Sequence, residues 1–136
     1  MSDLTVTITS FSFKKGYPVD DSGNGGGFIF DCRFLNNPGR YDEYKCLTGL
    51  DQPVIDFLKT QSRIDSFVED VYRIIDQAIE NYVERKFSSL QIGFGCTGGQ
   101  HRSVYSAENL GGLIRRNWPE VRVRVIHREQ NIEKAL

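Results

Sequence analysis

No run of the 136 residues approaches the roughly 18 apolar residues that a membrane-spanning helix needs. The opening segment MSDLTVTITSF has neither the basic start nor the long apolar stretch of a secretory signal, so a cytoplasmic location without membrane contact is expected. Only three cysteines are present, Cys32, Cys46 and Cys96, odd in number and without a C-x-x-C pair. They encode neither a disulfide framework nor a zinc site, and reduced thiols are expected. No charge of one sign dominates: 17 Lys and Arg stand against 18 Asp and Glu, for a net charge of -1. The overall balance therefore argues for neither a nucleic acid nor a membrane partner. Glycines 23, 25, 26 and 27 cluster, but no Lys-Ser/Thr follows them and no G-x-G-x-x-G can be read there, so both common phosphate-loop motifs are missing. Neither a metal nor a cofactor is expected.

With 39% hydrophobic and 26% charged residues, the composition is that of a globular domain. A chain of this length forms one domain, residues 1–136, hiding about 65–70% of its unfolded surface. Alternation of Leu4, Val6 and Ile8 with threonines, continued by Phe11 and Phe13, predicts a strand over 4–13. The segment 14–27 breaks all periodicity and is expected as a flexible glycine-rich connector. FIFDCRF (28–34) predicts a buried strand and is followed by a long polar loop. A short helix is expected from Pro53 after the cap Asp51, and a long one over 62–86 from the stripe Ile64, Phe67, Val68, Val71, Ile75, Ile79. SLQIGFGC predicts a third strand, and Val104, Ala107, Leu110 and Ile114 a helix ending near Asn117 before Pro119. The fourth strand is VRVRVIH, with Val121, Val123 and Val125 on one face. The order ββααβαβ predicts an α/β fold of three-layer type: a small, largely parallel four-stranded sheet with flanking helices.

Ligands of open α/β sheets gather beyond the carboxyl ends of the strands, where GCTGGQHRS (95–103) lies. Gly98 and Gly99 permit close backbone approach, and the helix that follows presents unpaired N–H groups carrying partial positive charge. Such a turn suits an anion. Thr97 and Ser103 can add hydroxyls, His101 a proton-dependent donor, and Arg102 a planar fork matched to phosphate. Arg33, after the second strand, is expected at the same rim, with an ion pair to Asp31 as its other use; His127, after the fourth, is expected as a partly exposed strand-end histidine. Thr48-Gly49 offers another hydroxyl and bare backbone.

The motifs SFSFKKGYP, FDCRFLNNP, LTGLDQPV, GCTGGQHRSVYSAE and HRE (127–129) together resemble the C-terminal domain of the RapZ family, RNase adapter proteins once named as P-loop ATPases. The resemblance spans nearly the whole chain. It implies a domain akin to a sugar-phosphate-binding subdomain of phosphofructokinase, binding a phosphorylated amino sugar such as glucosamine-6-phosphate, and a non-catalytic binding module is expected. In the best understood members it also implies a small regulatory RNA delivered to a ribonuclease, so an RNA or a separately encoded protein are the expected partners. Thr97, Gly98, His101 and Arg102 match the family motif residue by residue. Two departures stand out. The nucleotide-binding half with its Walker motif has no counterpart here, so ATP or GTP binding is not expected. Gly39-Arg40 occupies the place where the family often puts a ligand-reaching histidine or aromatic residue.

Two other readings are open. Arg115, Arg116, Arg122, Arg124 and Arg128 form a local positive band that can meet RNA phosphates without any small ligand. Cys96-x₅-Arg102 has the spacing of cysteine-dependent phosphatases, in which Cys96 would be the nucleophile and Asp31 or Asp51 the general acid.

Overall fold

The computed structural model describes residues 2–24 and 26–136; the expected flexibility of the glycine-rich connector at Gly25 lies outside them. Among the described residues, five strands form one sheet in the order β2-β3-β1-β4-β5, comprising β1 Thr5–Ser12, β2 Phe28–Asp31, β3 Ser89–Cys96, β4 Arg122–His127 and β5 Ile132–Ala135. The first four run parallel, and β5 pairs antiparallel with β4. Three helices, α1 Gln52–Gln61, α2 Ile64–Glu84 and α3 Arg102–Asn117, complete the α/β fold. Short 3-10 turns at Phe13–Lys15, Pro38–Arg40, Asp42–Tyr44 and Arg128–Gln130 shape the loops.

The sheet therefore has one strand more than the periodicity predicted. Ile132–Ala135 is short, and its charges hide the alternation. Glu133 pairs with Arg124 and Lys134 with Glu108 of α3, so both charges are used on opposite faces. Asn131, in the left-handed region at φ 55°, makes the reversal that lets β5 return along β4.

Strand alternation sorts the side chains into two faces. Val6, Ile8, Leu90, Ile92, Phe94, Val123 and Val125 face α2 and α3, whose buried stripe includes Val68, Val71, Ile75, Ile79, Leu110 and Ile114. Each fully buried aliphatic side chain contributes about 1.5–3 kcal/mol relative to exposure. Polar ties join the two helices across that core: Asp65 accepts from the Tyr105 hydroxyl, and Asp76 from Trp118 Nε1 at 2.8 Å. The opposite face carries Thr7, Thr9, Gln91 and Gly93 and is covered by the connector, where Tyr17, Pro18 and Val19 cross it. That third layer is a strap, tied at Asp21 to Gln91 Nε2 (3.0 Å) and at Gly16 O to Arg128 Nη2 (2.9 Å).

Because β1 to β4 are all parallel, Ser12, Asp31, Cys96 and His127 end on one edge. The turn 97–101 leaves that edge from β3 and enters α3.

Candidate functional site

The turn has one chemical polarity. Ser12 Oγ donates to Thr97 O (2.6 Å), Gln130 Nε2 to Gly99 O (2.9 Å), the Gly49 amide to Gln100 O (2.9 Å) and the Tyr105 amide to His101 O (3.0 Å). Among the described residues, no protein acceptor is bonded by the amides of residues 98–104. In a trans peptide the carbonyl of one residue and the N–H of the next point in opposite directions. Tethering those four carbonyls therefore aims the N–H groups of Gly98, Gln100, His101 and Arg102 away from their tethers. The result is a run of bare donors at the amino end of a 16-residue helix.

Gly99 makes this turn possible. It lies at φ +64°, and a Cβ there would come within 2.6 Å of the Ser12 amide nitrogen and 2.8 Å of the Phe11 carbonyl carbon. At Gly98, by contrast, a Cβ would meet nothing within 4 Å; Thr97 and Gly98 are the exposed part of the turn. Gly49 serves close approach: a Cβ would overlap His101 O and lie 2.6 Å from the Tyr105 amide nitrogen. Thr48 braces the same loop, its amide donating to Asp51 (2.7 Å) and its hydroxyl accepting from the Leu50 amide (3.1 Å). Asp51 thus precedes α1 without capping it through its side chain.

His101 occupies the cap position of α3 but makes no capping bond with its side chain. Its Nε2–H donates instead to Tyr44 O at 2.9 Å, which leaves Nδ1 as the bare nitrogen of the neutral ring. Burial holds its pKa below the ordinary 6.5, with the Tyr44 and Leu47 carbonyls opposing this in part. The unfolded chain therefore takes up the proton first, and stability falls as pH drops through about 6.5. In urea unfolding, the loss of midpoint between about pH 7.5 and 5.5 is expected to be smaller in His101→Gln than in the wild type; an equal loss would contradict this account. Gly39 lies beside the ring, where an added Cβ would be 3.5 Å from His101 Cε1. The departure at Gly39 therefore falls at the site, whereas Arg40 lies over the Tyr41 ring at 5.7 Å.

The Arg102 fork is partly committed within the protein. It is 3% exposed, and its Nη1 donates to Arg33 O and Leu35 O, both at 2.9 Å, fastening α3 to the loop after β2. Its Nε is enclosed without a partner, as is Gln130 Oε1. Among the described residues these two enclosed atoms flank the same turn. Arg33 pairs with Asp31 (2.7 Å) and lies 4.0 Å over the Phe13 ring.

Ser103 is fully buried, and its Oγ lies 3.1 Å from Cys96 Sγ, so both face inward beneath the turn. The exposed Asp31 carboxyl is held below the usual carboxylate range by its bond to Arg33, contrary to what a general acid needs. Cys32 is buried beside Ser106, and burial pushes its thiol up; Cys46 is exposed. One rapidly alkylated thiol per native chain is expected, at Cys46, with Cys32 and Cys96 reacting only on unfolding. Rapid native labelling of Cys96 would revive the nucleophile reading.

His127 is fully buried rather than partly exposed, bonded to Ser10 Oγ (2.7 Å) and Glu108 Oε1 (2.8 Å). Arg115, Arg122 and Arg124 line one surface depression and Arg124 and Arg128 the next, whereas Arg116 lies apart beside Lys59; Arg128 also pairs with Glu129. Sequence reasoning missed Ser12, Glu129 and Gln130. Glu129 accepts from the Ser12 amide (2.7 Å), which with Arg128 keeps its carboxyl below its ordinary range although burial opposes this. The sequence signal for them was position, at the last residue of β1 and just after β4, together with the presence of Ser12 in SFSFKKGYP and Glu129 in HRE.

The fold and the turn define a mostly parallel α/β domain with a glycine turn at the carboxyl edge of its sheet. Residues 4–131 match the RapZ C-terminal domain family, and the chain belongs to it. A nucleotide-binding protein of Pseudoalteromonas translucida is 42% identical over 127 residues, covering 93% of this chain and 43% of the relative. One from Shewanella sp. is 39% identical over 133 residues (98% and 44%), and one from Thermotoga neapolitana 35% over 132 (97% and 44%). The chain thus spans less than half the length of these relatives. Among the described residues, no helix is long and apolar enough to cross a membrane.

Proposed function

We propose that the domain binds the phosphate group of a phosphorylated sugar, an amino sugar such as glucosamine-6-phosphate in particular, at the turn 97–103, and that occupancy of this site is the signal it passes to a regulatory partner. The observation that carries the reading is the tethering of four carbonyls behind the turn while the amides of residues 98–104 stay unbonded. Neutral backbone donors fixed before the ligand arrives need no reorganisation, so a dianion gains several short hydrogen bonds at once. Of the cations around the same edge, Arg33 pairs with Asp31 and Arg128 and Lys15 with Glu129, so the backbone donors carry the attraction. The sugar is the part that family membership supports, and the phosphate is the part that the turn supports.

An RNA footprint has less support. Of the five arginines, Arg124 and Arg128 already pair with Glu133 and Glu129, and Arg116 stands apart from Arg115, Arg122 and Arg124. The relatives' name, nucleotide-binding protein, is compatible with a phosphate site, but this chain has no Walker motif to hold a triphosphate. Thermal unfolding with glucosamine-6-phosphate, glucose-6-phosphate, glucosamine and ATP separates these readings. At a hundredfold excess over Kd a ligand stabilises by about 2.7 kcal/mol, which raises the midpoint on the order of 10 °C. Stabilisation by the sugar phosphates and not by glucosamine is expected. Stabilisation by ATP alone, or by none of the four, would overturn the proposal.

A further inference from the structure

We infer that Gln130 and Ser12 are positioning residues for the anion, each acting through one carbonyl of the turn. This rests on the anion reading above and adds to it the groups that aim the donors. Two of the four tethers come from side chains: Ser12 Oγ holds Thr97 O at 2.6 Å and Gln130 Nε2 holds Gly99 O at 2.9 Å. The plane of the Thr97–Gly98 peptide is thereby fixed by Ser12, which sets the direction of the Gly98 N–H. The plane of the Gly99–Gln100 peptide is fixed by Gln130, which sets the Gln100 N–H. Both side chains bond carbonyls of the turn, so neither is counted among the donors to the anion.

Three further observations support a positioning role over a packing one. Gln130 Nε2 is the carboxamide atom with a protein partner, Gly99 O, while among the described residues its Oε1 has none. Ser12 is itself held from behind, its amide donating to Glu129 Oε2 at 2.7 Å while Arg128 Nη2 donates to the same oxygen at 2.9 Å. Finally, Glu129 and Gln130 belong to the one turn Arg128–Gln130, which follows directly from β4 and is closed by the left-handed Asn131. The end of β4 therefore reaches both tethers through consecutive residues, and a ligand that loads the turn loads this segment with it.

The test uses the full chain, inorganic phosphate as probe, and Gln130→Met, which keeps the side chain's length and removes its donor. Phosphate affinity is measured by calorimetry, and the Gly99 carbonyl ¹³C shift and the amide shifts of residues 98–103 by NMR. Loss of the tether is expected to move the Gly99 carbonyl shift in the absence of ligand. Affinity is expected to fall about tenfold, and the Gln100 amide to lose its phosphate response while Gly98 keeps its own. The pair Ser12→Ala and Ser12→Thr repeats the question at the other tether without relying on Gln130. Alanine is expected to lose the Gly98 response, and threonine, which retains the hydroxyl, to restore it. Unchanged affinity in Gln130→Met despite a shifted Gly99 carbonyl, or equal loss in Ser12→Ala and Ser12→Thr, would overturn the positioning role and leave the anion reading standing. No phosphate response in the wild type would overturn both.

Discussion

Gly99→Ala is expected to destabilise the domain by roughly 2–5 kcal/mol and to abolish phosphate binding. Two costs add. A non-glycine residue in the left-handed region costs about 1–2 kcal/mol. The new methyl must also displace backbone atoms, since its ideal position is 2.6 Å from the Ser12 amide nitrogen and 2.8 Å from the Phe11 carbonyl carbon. Those atoms belong to β1, a central strand that cannot retreat without loosening its pairs with β3 and β4. The neighbouring substitution separates stability from function. Gly98→Ala meets nothing within 4 Å, so its urea midpoint is expected to stay close to wild type. Its methyl stands at the exposed part of the turn, however, and phosphate affinity is expected to fall. Equal destabilisation by the two substitutions would contradict the geometry of the turn.

Arg102→Met is expected to cost roughly 2–5 kcal/mol, because Arg33 O and Leu35 O would both lose their donor in a site where Arg102 is 3% exposed. Urea unfolding should show a lowered midpoint with an unchanged slope. Arg33→Met, which removes an exposed partner of Asp31, should shift the midpoint far less. Were Arg102 an open phosphate clamp, its replacement would leave stability alone and affect only the ligand. A stable Arg102→Met chain with lost affinity would favour that arrangement over the one described.

Much of this architecture is legible in the residues. The alternation of Val6 and Ile8, the helical stripe from Ile64 to Ile79 and the stop at Pro119 each encode an element through periodicity or a missing donor, and each element formed. β5 is less legible, because Glu133 and Lys134 mask its alternation and its stability depends on partners distant in the chain, Arg124 and Glu108. The site divides in the same way. The bend, the glycines and the helix start follow from local sequence. Which way Arg102 points depends on the path of the loop after β2, some 70 residues away in the chain, and the back-bonding of Ser12 and Gln130 depends on two other strand ends. Hydroxyl and carboxamide groups carry no sequence mark that distinguishes a tether from a surface group.

The most direct test of the central claim is a titration of the ¹⁵N-labelled chain with glucosamine-6-phosphate, read at the backbone amides. Saturable shifts concentrated at residues 98–103, with the largest at Gly98 and Gln100, are the predicted result. Saturable shifts centred elsewhere, with those amides unmoved, would contradict it.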